Sequence, residues 1–292
     1  MATQNDRSRN RVRQLLRGHL LAVVAVFATI VTTLSVWYVP GTKALGEGTH
    51  TIFGPAGAVG AGTARTYLGL QDGLPREIGV ELTEDALQGL PAHGPTIPGQ
   101  HMMVEHILEL PGSAKLAPFK FVELDWNPHG HEPDGIYNRP HFDFHFYTIT
   151  KAERDAIDPA DPDYTRKAER LPQAGMIPAG YFLPRPILPF PRMGVHWVAK
   201  QASEFQGKPF THTFIHGSWD GRMIFYEPMI TKAFLETKPD VTMPVSTANQ
   251  YEPGGHHPTV YSIRYDRNER VYRIALTGLR MQGDEILETG LR

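Results

Sequence analysis

The segment from Pro140 to Tyr147, with the sequence PHFDFHFY, holds the side chains best suited to chemistry in this 292-residue chain. Successive side chains of a β-strand point to opposite faces, so His141, Asp143 and His145 share one face and three phenylalanines share the other. The phenylalanine face fits a core. If the polar face is also buried, its groups need partners, because unpaired buried polar groups are costly. A divalent metal would supply those partners, and a solvated outward face is the alternative.

Two other polar side chains stand alone in apolar segments. His196 lies in the run GVHW, where a lone histidine is more often a hydrogen-bonded core residue than a ligand. Glu227 is the only charge on the strand face that runs from Met223 to Met229, which predicts a buried carboxylate. A buried carboxylate binds a metal, pairs with a cation or becomes protonated. For Glu227 the alternative to a metal is an ion pair with Arg222 or Arg192.

One shared cation would satisfy all of these groups. Three histidines and a carboxylate from separate strands can hold a catalytic metal with an open position, and zinc, manganese, iron, nickel and copper accept such ligands. We predict a divalent metal, with zinc among the candidates, and the following ligands: His141, His145, His196 and Glu227. Asp143 or Glu132 would then act as a general base or orient the ligands. His131, upstream of the strand, could add a ligand or support one.

Composition excludes several other classes of protein. The chain has no cysteine, which excludes disulfides, zinc fingers, iron–sulfur clusters and thiol catalysis. Residues 41–292 carry 24 basic and 30 acidic residues, so we expect no nucleic acid partner. Motifs for zinc proteases, serine hydrolases and nucleotide phosphates are lacking from the sequence. His256 and His257 lie between glycines and prolines, which predicts an exposed loop and only adventitious metal binding.

The elements that position these residues are predicted to be mainly strands. Gly and Pro, at 28 and 25 residues, indicate many turns. Alternating segments predict ten strands over residues 63–70, 77–82, 102–110, 119–126, 141–149, 195–199, 209–216, 223–230, 259–265 and 271–277. We therefore expect a mainly β fold, a single barrel or sandwich-like domain with a few short helices. A capping box at Thr150 to Glu153 predicts one such helix. The proline-rich residues 171–191 should edge a pocket as an extended excursion.

The amino-terminal region has the pattern of a membrane-targeting segment. Five arginines precede residues 20–39, a run of twenty residues without a charge. Its length favours an uncleaved anchor over a cleaved signal. We expect a basic cytoplasmic segment over 1–19, an anchor or signal over 20–39, a linker over 40–61, a β-rich domain over 62–282 and a tail over 283–292. The positive-inside rule places the domain outside the cytoplasm, anchored to the membrane or secreted after cleavage.

The motifs DWNP at Asp125, GHEP at Gly130, PHFDFHFY at Pro140, GVHW at Gly194 and FYEPMIT at Phe225 together resemble a family of exported bacterial proteins classed as a domain of unknown function. The resemblance covers roughly residues 60–280, and the motif around His141 is its most specific part. It implies a β-rich extracytoplasmic domain behind a signal or anchor, and no established activity. At His256 and His257 the resemblance leads us to expect aromatic residues, which argues against an essential role for that pair.

Two functions from different classes remain open on the sequence. The first is an extracytoplasmic metalloprotein, an enzyme among the possibilities, with an unidentified small molecule as its partner. The second is a non-catalytic binding or assembly module, in which the same His, Asp and Glu residues form a buried hydrogen-bond network. A homo-oligomer is compatible with either function.

Overall fold

Strands dominate the computed structural model, which describes residues 48–95, 102–112 and 116–283. Strands account for 44% and helices for 12% of the described residues, which confirms a mainly β fold. The predicted membrane segment at 20–39, the basic segment before it and nearly all of the tail lie outside the described residues. Within the described ranges, no helix has both the length and the apolar character needed to cross a membrane.

The described residues form sixteen strands in chain order. They are β1 (Thr49–Phe53), β2 (Gly57–Val59), β3 (Gly62–Gln71), β4 (Leu74–Thr83), β5 (Val104–Glu109), β6 (Phe121–Asn127), β7 (His141–Tyr147), β8 (Tyr181–Phe182), β9 (Val195–Ala199), β10 (His212–Trp219), β11 (Arg222–Thr231), β12 (Asp240–Pro244), β13 (Gly255–His257), β14 (Val260–Asp266), β15 (Val271–Thr277) and β16 (Arg280–Gln282). Three short α-helices accompany them: α1 (Lys151–Asp155), α2 (Tyr164–Glu169) and α3 (Lys232–Glu236). Three 3-10 helices span Glu84–Leu87, Ala174–Met176 and Ser203–Gln206.

Two seven-stranded antiparallel sheets pack against each other. The first has the order β1-β3-β4-β15-β14-β12, with β2 beside β3, and the second has the order β5-β6-β7-β11-β10-β9-β8. One apolar core joins their facing sides, with Val80 and Ile274 from the first sheet and Leu124 and Phe144 from the second. A separate two-stranded sheet pairs β13 with β16. Among the described residues there is no closed barrel, so the barrel alternative was wrong.

The middle of the second sheet is buried on both faces. Every residue of β6 and β7 is buried, although their side chains alternate between apolar and polar. On the side away from the main core, segments that follow β6 and β7 in the chain cover the sheet with two smaller apolar clusters. One cluster contains Phe225 of β11 and Ile157, and the other contains Met229 of β11 and Phe210. Glu227 therefore lies on its strand between these two clusters, beneath a third layer of the structure.

All ten predicted strands are present, with bounds that differ by a few residues. The capping box is also confirmed. The Thr150 side chain accepts from the Glu153 backbone N–H, and the Glu153 carboxylate accepts from the Thr150 backbone N–H. Six strands were not predicted. Two of them, β1 and β2, lie in the segment interpreted as a linker over residues 40–61. In the described part of that segment, hydrogen bonds to β3 continue the first sheet.

Candidate metal centre

Polar side chains from β6 and β7 form a patch on the outer face of the second sheet. Antiparallel register sets Glu123 opposite His145, Asp125 opposite Asp143, and Asn127 opposite His141. All six side chains are at most 2% exposed. The buried face therefore carries four carboxylate or amide groups and two imidazoles beside one another, where each needs a partner.

The first group of donor atoms comes from three strands. His145 lies on β7, His196 on β9 and Glu227 on β11, and their ligand atoms all lie within 4.8 Å of one another. The Nε2 atom of His145 is 3.4 Å from Glu227 Oε1, and the Nε2 atom of His196 is 3.7 Å from Glu227 Oε2. Two imidazoles and one carboxylate are a donor set that zinc and iron centres use, with positions left open for other ligands.

Packing fixes the ring of His145 in this group. The ring of Phe225 meets the His145 ring edge to face, with centroids 4.8 Å apart. Gly217 on β10 makes this possible, because a Cβ atom there would lie 2.1 Å from the Phe225 ring. On the other side of His145, Asp125 Oδ2 lies 3.1 Å from Nδ1. We assign the imidazole proton to Nδ1, which leaves the Nε2 lone pair facing Glu227 and His196.

The second group comprises His131, His141 and Asp143, whose ligand atoms also lie within 4.8 Å of one another. Asp143 presents one oxygen to each histidine: Oδ1 is 3.1 Å from His141 Nε2, and Oδ2 is 3.3 Å from His131 Nε2. The Nδ2 amide of Asn127 donates to Asp143 Oδ2 at 2.7 Å. The aromatic ring of Phe210 packs edge-on against His141, with centroids 5.3 Å apart.

A third group is formed by Glu123, Asp125 and His145. An arginine side chain already neutralises part of its charge. The guanidinium of Arg154, carried by α1 and 1% exposed, forms ion pairs with Glu123 and with Glu105 of β5. Neither Glu123 nor Asp125 lines the cavity described below. We therefore interpret Glu123 and Asp125 as supports for His145 rather than as ligands.

Burial and mutual repulsion disturb the protonation of these carboxyl groups. Burial, followed by the charges of Asp143 and Asp125, raises the pKa of Glu227 well above its usual range. Burial and the charge of Asp143 likewise raise the pKa of Asp125. For Asp143, burial is outweighed by His141 and His131, so its pKa lies well below the usual range. Burial also lowers the pKa of His145. The patch therefore holds more acidic groups than neighbouring cations can neutralise.

Both groups of donors open onto one cavity of about 400 Å³. Its polar lining includes His131, Asp143, His145, His196 and Glu227. Most of the remaining wall is apolar, and much of it comes from residues 183–191, which we call the strap: Leu183, Pro184, Pro186, Leu188 and Phe190. This confirms that the proline-rich segment edges a pocket. The exposed side chain of Glu132 also lines the cavity, from the loop between β6 and β7.

The structure distributes the four predicted ligands over two neighbouring groups. His145, His196 and Glu227 lie together, whereas His141 lies with His131 and Asp143. Asp143, predicted as a base or support, thus occupies a donor position. In the described part of the chain neither alternative ion pair of Glu227 is present: Arg222 pairs with Glu153, and Arg192 pairs with Glu105.

Sequence reasoning missed the polar face of β6. In the sequence FVELDWN, Glu123, Asp125 and Asn127 alternate with apolar residues, and the same parity argument that was applied to β7 would have found them. Arg154 had no comparable signal, because its burial depends on where α1 packs.

The prediction of an exposed loop at His256 and His257 was wrong for His257. This residue lies in β13 and is 4% exposed. Its ring bonds the Tyr226 hydroxyl at 2.5 Å and the Pro253 carbonyl at 3.0 Å. Pairing of β13 with β16 encloses the segment, which composition alone did not indicate.

Comparison with known proteins gives one similarity. Residues 71–126 match the model of a family described as TTHB210-like, after the hypothetical protein TTHB210. The match runs from the end of β3 to Trp126, so it includes Glu123 and Asp125 but stops before His131. No curated protein matches the chain. No protein of known structure matches it either.

Proposed function

We propose that this chain is a metal-dependent enzyme whose divalent cation is held by His145, His196 and Glu227 and meets a small, largely apolar molecule in the cavity. The observation that carries the proposal is the convergence of these three donors within 4.8 Å at the wall of a cavity of about 400 Å³. Structural zinc sites have four protein ligands, whereas catalytic sites have three and keep a position for water or substrate. A metal with three protein ligands beside a cavity fits the catalytic kind.

The hydrogen-bond network proposed as the alternative is less well supported. Such a network stabilises a fold when its buried donors and acceptors are paired. Among the described residues, both nitrogens of His145, both oxygens of Asp125 and Oε2 of Glu227 make no hydrogen bond of acceptable geometry. Their atoms approach to between 3.1 and 3.7 Å without alignment. Of these atoms, His145 Nε2 and the Glu227 oxygens can direct lone pairs at one common cation, which accounts for their approach without a hydrogen bond.

The wall of the cavity supports an apolar ligand. Phe182, Val198, Phe205 and Ile215 line it together with the strap. Apolar walls with a few polar groups at one place are typical of small-molecule sites, where the polar groups orient the ligand. In this domain the proposed metal ligands are themselves those polar groups. We also propose that the domain works outside the cytoplasm, which rests on the sequence of residues 20–39.

Metal content tests the proposed centre. The full chain is purified without a histidine tag, and its metal is measured by inductively coupled plasma mass spectrometry. Glu227→Gln should lose one equivalent of metal. Glu204→Gln is the matched control, because Glu204 is a carboxylate 7% exposed that accepts from the Tyr137 hydroxyl near the same cavity. Full retention of metal in Glu227→Gln would overturn the proposed centre.

Binding of an apolar probe tests the cavity. Leu188 lines its rim and is 59% exposed, and Leu74 on the first sheet is 60% exposed. Leu188→Asp should weaken binding of 1-anilinonaphthalene-8-sulfonate at least several-fold, because a charge then faces the apolar wall. Leu74→Asp should leave binding unchanged. Equal effects of the two substitutions would place the probe elsewhere and remove the support for an apolar ligand.

A further inference from the structure

We propose a second divalent-cation site in the same cavity, formed by His131, His141 and Asp143. It shares no ligand with the centre proposed above, so either site can bind a cation without the other. The two sites are offset along β7 by one step on the same face, from Asp143 to His145, which is about 7 Å in a strand.

The hydrogen bonds of the two histidines fix which nitrogen faces Asp143. His141 Nδ1 lies 2.6 Å from the Arg139 carbonyl oxygen, and His131 Nδ1 lies 2.7 Å from the Glu132 carbonyl oxygen. A carbonyl oxygen only accepts, so Nδ1 carries the proton in both rings. In the neutral form of His141 the Nε2 atom is then an acceptor only, and it lies toward Asp143 Oδ1.

At His141 this arrangement leaves one acceptor facing another. The His141 Nε2 atom and Asp143 Oδ1 are 3.1 Å apart, and both are buried without a hydrogen bond of acceptable geometry in the described structure. One divalent cation between the three side chains would satisfy both of these atoms, and His131 Nε2, 3.3 Å from Asp143 Oδ2, lies where it can serve as the third ligand.

The surroundings resemble the support that metal ligands receive. Backbone carbonyls orient both imidazoles, and the Asn127 amide orients the carboxylate through its bond to Oδ2. Such outer partners fix the tautomer and rotation of metal ligands in known sites. Two imidazole nitrogens and one carboxylate oxygen select a transition-metal ion such as zinc, manganese or iron over calcium or magnesium, which take oxygen ligands.

The site also meets the solvent-accessible space that a ligand would occupy. His131 and Asp143 line the cavity, while His141 is fully buried behind them. The cavity thus has donor sets at two places on one wall. A molecule bound there could present polar groups to both cations, so the second site narrows the ligand to one with two separated polar groups or one extended polar group.

Zinc stoichiometry of the full chain tests the proposal, with zinc alone as the probe. The chain is purified without a histidine tag, stripped with chelator, titrated with zinc and measured after removal of free metal. We expect two equivalents in the wild type and one in His131→Ala. His129→Ala is the matched control, since His129 is an exposed residue of the same loop and should keep two equivalents.

A second variant guards against loss of folding. His141→Asn should also bind one equivalent, and circular dichroism of both variants should retain the wild-type β signal. Two equivalents retained in His131→Ala and His141→Asn would overturn the second site. One wild-type equivalent that Glu227→Gln removes and His131→Ala keeps would also overturn it, and would leave the first centre intact. One wild-type equivalent that His131→Ala removes and Glu227→Gln keeps would support this site and refute the proposed function.

Discussion

The support of His145 by Asp125 gives a prediction with two readouts. Asp125→Asn removes the carboxylate whose Oδ2 atom lies 3.1 Å from His145 Nδ1. Loss of such an outer partner typically lowers metal affinity by about 10- to 100-fold. That change corresponds to about 1.4–2.7 kcal/mol of binding free energy. We expect this loss for the centre that contains His145, because asparagine can accept from Nδ1–H but brings no charge.

The stability of the metal-free chain should respond differently. Burial raises the pKa of Asp125 in the folded chain above its value of about 4 in the unfolded chain. Protonated Asp125 therefore contributes its whole share of the free energy of unfolding below pH ~4. That share is lost as the pH rises through the pKa of the folded chain. An asparagine has no such loss. At pH 8 the free energy of unfolding of metal-free Asp125→Asn should therefore equal or exceed that of the wild type, although its metal affinity is lower.

Competition with a chromophoric chelator measures the affinity, and urea denaturation of the stripped chain measures the stability. Glu81→Gln is the matched control, because Glu81 is a carboxylate 5% exposed that pairs with Arg65 and Arg273 on the first sheet. Its metal affinity should be that of the wild type. Unchanged affinity in Asp125→Asn, or a fall in stability without a fall in affinity, would refute the supporting role and make Asp125 a structural residue only.

Three other predictions concern the fold and its location. Arg154→Met leaves Glu123 buried without its cation, which should lower the free energy of unfolding by about 3–5 kcal/mol in urea denaturation; a loss below about 1 kcal/mol would contradict the ion-pair argument. Burial lowers the pKa of His216 to about 3, so stability should fall by up to about 1.4 kcal/mol per unit from this one group as the pH drops below about 6.5. His216→Gln should flatten that slope, and an unchanged slope would show that His216 is not the cause. Protease added outside the cytoplasmic membrane should digest the domain if residues 20–39 cross it, whereas digestion only after that membrane is opened would reverse the topology.

Local sequence patterns predicted ten of the sixteen described strands because those strands have alternating or apolar sequences and identifiable turns at their ends. The strands that escaped prediction are short or lie at edges. In β2, for example, the sequence GAV offers too little alternation to distinguish a strand from a flexible segment, and its structure depends on pairing with β3. Pairing of this kind is a tertiary effect that a single segment does not encode.

Parity along one strand predicted which side chains of the site share a face, but not which of them meet. His141 and His145 point the same way, yet the partners of each depend on neighbouring strands and on a loop. His131 reaches Asp143 because the loop between β6 and β7 turns back at Gly130, whose φ of 72° favours glycine. A prediction of the groups would have required the register between strands and the path of that loop.

The strap supplies much of the apolar wall of the cavity while the strands supply most of the proposed metal ligands, and this separation has consequences for evolution. At one end β8 pairs with β9, and at the other Phe190 forms a bridge with Gly194, so both ends are fixed to the sheet. The donor atoms come mainly from β7, β9 and β11, whereas much of the apolar wall comes from the segment held between these two attachments. Duplicated copies of this chain could therefore diverge in the strap, changing the size and shape of molecule admitted, while the strands keep the same reactive centre. The same separation makes the strap the natural segment to randomise in a library that seeks new ligands for an unchanged centre.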